Sequence, residues 1–114
     1  MRWRRVACAV ALLSGSSAAL AHAHLKASTP AAGAQLTVAP AALTLEFSEP
    51  AQLTALSIAK AGGAPLKLTA PSAPASHVSI ALPALTPGSW TVSYRALSAD
   101  GHLVPGTVTF TLLP

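Results

Sequence analysis

Two places in the sequence carry side chains that could act together on a ligand. In Asp100-Gly101-His102 a carboxylate and an imidazole stand two residues apart, a spacing that lets both project from one side of an extended or tightly turned segment. The other place is His24, preceded by His22-Ala23 and a run of small residues. A histidine that begins a polypeptide offers one ion two nitrogens, its free amine and its ring, which an internal histidine does not. Amine, imidazole and carboxylate make a nitrogen and oxygen donor set that suits Cu(II), the ion at the top of the divalent affinity order, with Zn(II) as competitor. Taken alone, Asp-Gly-His reads as a β-turn whose aspartate bonds its own backbone. The exposable histidine is what gives the triplet weight as half of a metal site.

Whether His24 can begin a chain depends on what precedes it. Arg2, Arg4 and Arg5 form a basic start, Val6 to Leu13 an apolar run, and Ser14 to Ala23 a stretch of small residues, the three parts of a secretory signal peptide. The apolar run falls short of the roughly 20 residues a bilayer core needs, and Ser14, Gly15, Ser16 and Ser17 interrupt it, which argues against an anchor. Cys8 lies too early for lipoprotein cleavage, and Arg4-Arg5 within a basic start is weak support for twin-arginine export. Residues 1–23 are thus expected to be removed, leaving 24–114 as one domain. Two cuts satisfy the small-residue rule. A cut after Ala23 exposes His24. A cut after Ala21 leaves His22-Ala23-His24, whose third residue could close a square plane of amine, deprotonated amides and imidazole around Cu(II) or Ni(II).

Beyond the leader, Lys26, Lys60, Lys67 and Arg95 face Glu46, Glu49 and Asp100, four cations against three anions, so the domain is nearly neutral. The high isoelectric point of the whole chain, about 10.0, belongs mainly to the leader, and no basic patch is left to argue for nucleic acid. The domain contains neither cysteine nor methionine. It must therefore fold on its apolar core without a disulfide, and any metal it holds must be bound through nitrogen and oxygen.

The elements that must position these residues read as strands. Short stretches alternate apolar and polar residues with period two: Leu43/Leu45/Phe47, Leu56/Ile58, Leu66/Leu68, Val78/Ile80/Leu82, Trp90/Val92/Tyr94/Ala96 and Val108/Phe110/Leu112. Turn chemistry separates them at Ala32-Gly33, Gly62-Gly63, Pro71 to Pro74, Pro87-Gly88 and Asp100-Gly101. With a first strand near Lys26 to Thr29, the pattern predicts an all-β fold: a seven-stranded antiparallel Greek-key β-sandwich of Ig-like or cupredoxin-like kind. The Ala/Pro/Ser-rich piece from Ala70 to Ser76 reads as one loop. His77 falls opposite Val78 and Ile80 in its strand, an exposed polar position, while Trp90 and Tyr94 share the phase of Val92 and read as core.

Three segments carry a family resemblance: His24-Leu25-Lys26-Ala27-Ser28-Thr29-Pro30, Leu45-Glu46-Phe47-Ser48-Glu49-Pro50 and Ser98-Ala99-Asp100-Gly101-His102. In order and spacing they resemble the CopC-type copper resistance proteins, and the likeness extends over the whole of 24–114. The resemblance implies a periplasmic β-sandwich in which His24, Asp100 and His102 ligate one Cu(II), with Glu49 nearby as a weak ligand or outer partner. It implies work beside an inner-membrane copper transporter of the CopD type. Many relatives also carry a methionine-rich loop for Cu(I). The corresponding region here, Lys67 to Pro87, holds His77 and no methionine, so no dedicated Cu(I) site is expected.

Three function classes fit these residues. The leading one is a copper carrier or buffer without turnover, and so not an enzyme. A copper-dependent oxidative enzyme also uses an N-terminal histidine with a second histidine, but a carboxylate beside that pair favours Cu(II) and hinders redox cycling. A metal-free adhesive sandwich would leave His24 and His102 incidental.

Overall fold

The computed structural model describes residues 23–114. The expected leader, apart from Ala23, lies outside the described residues, and with it Cys8, His22 and the alternative cut after Ala21. The described chain is all strand and turn. Seven strands follow one another: β1 Leu25–Thr29, β2 Gln35–Leu36, β3 Ala42–Lys60, β4 Leu66–Lys67, β5 Ala75–Ala81, β6 Gly88–Ser98 and β7 Leu103–Leu112. No helix among the described residues is long and apolar enough to cross a membrane.

The 19-residue β3 organises the molecule. Its first part pairs with β1 on one side and β5 on the other, from Thr44↔Thr29 to Phe47↔Leu25 and from Ala42↔Ala81 to Glu46↔His77. Its second part, Ala51 to Lys60, pairs with β6, Ala51 keeps one further pairing to Ala75 of β5, and Ser57 and Ile58 also pair with β4. The partners change at Ser48-Glu49-Pro50, where the ladder to β5 loses register and Pro50 has no N–H to give a neighbour. The two stretches expected as separate strands, Leu43 to Phe47 and Leu56 to Ile58, are thus one continuous strand serving two groups of neighbours. The count still comes to seven because β2, a two-residue strand too short to show a period, supplies the missing one. It pairs with β7 in parallel, the only parallel pair among the described strands.

Alternation along β3 and β6 sets the core. Leu43, Leu45, Phe47, Leu53, Leu56 and Ile58 point inward from β3, and Trp90, Val92, Tyr94 and Ala96 from β6. They meet Val78 and Ile80 of β5 and Val108, Phe110 and Leu112 of β7 in one cluster. The Phe47 and Tyr94 rings, 5.6 Å apart and edge to face, join the first part of β3 to β6 in the interior. Each fully buried side chain of this kind contributes about 1.5–3 kcal/mol, which is how a domain without a disulfide can hold together. Trp90 and Tyr94 lie in this core, as their phase predicts. The Trp90 indole N–H donates to the Thr86 carbonyl at 2.8 Å.

Candidate metal centre

The Asp-Gly-His triplet forms the turn between β6 and β7. The Ser98 N–H donates to the His102 carbonyl at 2.9 Å and the Gly101 N–H to the Ser98 carbonyl at 2.9 Å, which closes the hairpin. Gly101 has φ of +90°, a conformation that a side chain would strain, so the turn requires glycine between the two candidate ligands. Asp100 then serves its own backbone as the bland reading expects, accepting from the His102 N–H at 3.2 Å through Oδ1. Its second oxygen lies 2.8 Å from the His102 ring nitrogen Nδ1. A carboxylate held this way fixes the ring's orientation. The turn reading and the ligand reading are therefore compatible.

His24 immediately precedes β1. Its backbone pairs with Ser48 in both directions: the His24 N–H donates to Ser48 Oγ at 3.0 Å and the Ser48 N–H donates to the His24 carbonyl at 2.8 Å. One residue earlier, Ala23 is buried, and its N–H donates at 2.9 Å to the hydroxyl of Ser98, itself only 4% exposed. That bond links positions 75 residues apart. It seats the approach to His24 against the first residue of the hairpin turn. Glu49, half-buried, follows Ser48 at the bend of β3 and so adjoins His24's partner in the ladder.

The structure thus brings Asp100 and His102 together and carries the backbone before His24 to the same turn. It does not gather the three side chains into a cage: among the described residues, no three His, Cys, Asp or Glu side chains stand together as a metal site. The donors fit Cu(II) chemically, since imidazole and carboxylate are already paired. The amine that would complete them is still an amide in the uncleaved chain.

His77 lies exposed on β5, as expected, with Nε2 3.6 Å from Glu46, which also faces Lys26 at 3.8 Å. A lysine beside the single histidine and carboxylate makes this a surface charge cluster, not a ligand set.

Ser48 and Ser98 are the two residues that the sequence reading assigned no role. Ser98 carried a usable signal, being the one serine or threonine on the phase of β6 that also holds Trp90, Val92, Tyr94 and Ala96. Ser48 carried none, since an exposed serine at a bend has many ordinary explanations.

Comparison with known proteins bears on the family and the fold. The sequence model of the CopC domain family matches residues 25–113. The chain is similar to protein YobA of Escherichia coli K12, 40% identical over 100 residues that cover 81% of this chain and 79% of that one. It is similar as well to copper resistance protein C of Pseudomonas syringae pv. tomato, 37% identical over 112 residues covering 83% of each. Among solved structures it resembles CopC from Methylosinus trichosporium OB3b, with a TM-score of 0.72 at 27% identity, over 82% of this chain and 95% of that one. PcoC, a methionine-rich copper resistance protein from Escherichia coli, superposes with a TM-score of 0.64 at 31% identity, over 81% and 99%.

Proposed function

This chain belongs to the CopC family of copper resistance proteins, a family of copper binders and not of enzymes, and from that premise we propose that it is a periplasmic carrier or buffer holding one Cu(II) through a processed N-terminal histidine. The leader, residues 1–23, directs export and is cut after Ala23. The new His24 amine and its ring, with Asp100 and His102, supply the ligands, and Glu49 serves as a neighbouring carboxylate. Delivery to or from a CopD-type inner-membrane copper transporter completes the reading and rests on the resemblance alone.

The observation that carries the proposal is the Ala23 to Ser98 hydrogen bond, because it lays the future N-terminus beside the turn that holds the Asp100-His102 pair. Two further facts favour this form of the site. PcoC is described as methionine-rich, whereas residues 24–114 here contain no methionine or cysteine, so Cu(II) suits the donors and Cu(I) does not. The alternative His22-Ala23-His24 square plane would need the Ala23 and His24 amides deprotonated on the metal, yet both donate hydrogen bonds to serine hydroxyls.

Equilibrium titration of the exported protein with Cu(II) tests the reading. One ion should bind per chain, and His24→Ala, Asp100→Ala and His102→Ala should each weaken binding by about tenfold or more, some 1.4 kcal/mol. Wild-type affinity in all three variants would refute the ligand set.

A further inference from the structure

The ladder that carries His24 also bears on how its amine would be aimed. A peptide nitrogen is planar and held by two covalent neighbours. Once the bond to Ala23 is cut, the same nitrogen becomes tetrahedral and free to rotate about its bond to Cα, and a rotating lone pair makes a poor ligand. Resting on the copper reading above, we infer that Ser48 is the positioning residue of that amine. Its hydroxyl already accepts a hydrogen from the His24 nitrogen at 3.0 Å, and its own N–H grips the His24 carbonyl at 2.8 Å. An amine bound to a metal keeps two hydrogens, so it can go on donating one to Ser48 Oγ while its lone pair serves the ion. With one hydrogen fixed, the lone pair is confined to few directions, among them that of the severed bond to Ala23.

That direction leads into the slot Ala23 leaves behind. In the uncleaved chain Ala23 is buried there, its N–H on Ser98 Oγ, and the Ser98 backbone is bonded to His102. Removal of Ala23 opens this slot beside the turn and leaves the buried Ser98 hydroxyl without that donor. Ser48 thus aims the amine, and Ser98 marks the wall of the space it is aimed into. Other pairings at this corner, the Asp100 to His102 bond foremost, orient the second imidazole and not the amine. A serine hydroxyl at this bend is therefore a determinant of copper geometry although it would not touch the ion.

The test uses the exported protein with Ser48→Ala and Ser48→Thr, beside His24→Ala, read by Cu(II) affinity and by the EPR spectrum of the bound ion. Ser48 is exposed, so its alanine variant should melt like the wild type without metal. Ser48→Ala should lose about ten- to hundredfold in affinity, the range for outer partners of metal ligands, and should shift the EPR parameters, with Ser48→Thr restoring both. Wild-type affinity and an unchanged spectrum in Ser48→Ala, with His24→Ala still impaired, would overturn the positioning role alone. Unimpaired binding in His24→Ala would instead remove the copper reading beneath it.

Discussion

A histidine ligand is useful only while its coordinating nitrogen is unprotonated, and a site built from one amine and two imidazoles meets proton competition at each of them. Cu(II) affinity is accordingly predicted to fall steadily as pH drops from about 8 to about 5, measured by competition with a chelator of known pH dependence. Affinity that stays flat over that interval would point to carboxylate ligands alone. The residues of this site were readable to different depths. Asp100 and His102 were legible because a two-residue spacing across a glycine has few geometric outcomes, and the structure pairs them. His24 was singled out through the leader expected to end before it. The serines that hold the backbone around it were not, because a hydroxyl gains a role only from a partner 24 or 75 residues away.

At the scale of the strands, a tight fit lies where β6 pairs with β7. Gly106 pairs with Tyr94, and a Cβ added at Gly106 would overlap the tyrosine ring and hydroxyl. Gly106→Ala should therefore destabilise the fold by about 1–3 kcal/mol, read as a lower denaturant midpoint with an unchanged slope. Burial raises the Tyr94 pKa above the ordinary 10.0. Above that pH the unfolded chain gives up the phenol proton while the folded chain keeps it, so stability present below pH 10 is lost as pH rises through the folded value. The thermal midpoint of the wild type should fall in that alkaline range, and that of Tyr94→Phe should fall less. Period two made most of these strands legible, since Leu43, Leu45 and Phe47 or Trp90, Val92 and Tyr94 can hide only by alternating. The continuity of β3 was not legible. Its two periodic stretches, Leu43 to Phe47 and Leu56 to Ile58, stood as separate strands, and only pairing on both sides of the bend joins them.

For the molecule as a whole, residues 24–114 contain no cysteine, so a reducing agent should leave the melting temperature unchanged, whereas a ligand that binds only the folded state should raise it. Cu(II) at a hundredfold excess over its Kd should add about 2.7 kcal/mol of stability. The account joins a leader, a strand bend and a hairpin turn into one claim, that cutting the chain creates the copper ligand. The measurement that reaches this claim most directly compares Cu(II) binding by the chain that starts at His24 with binding by a chain that keeps Ala23 as its first residue. The account predicts at least about tenfold weaker binding when Ala23 remains, because the His24 nitrogen is then an amide bonded to Ser48 and Ala23 still fills its buried slot. Equal binding by the two chains would contradict it.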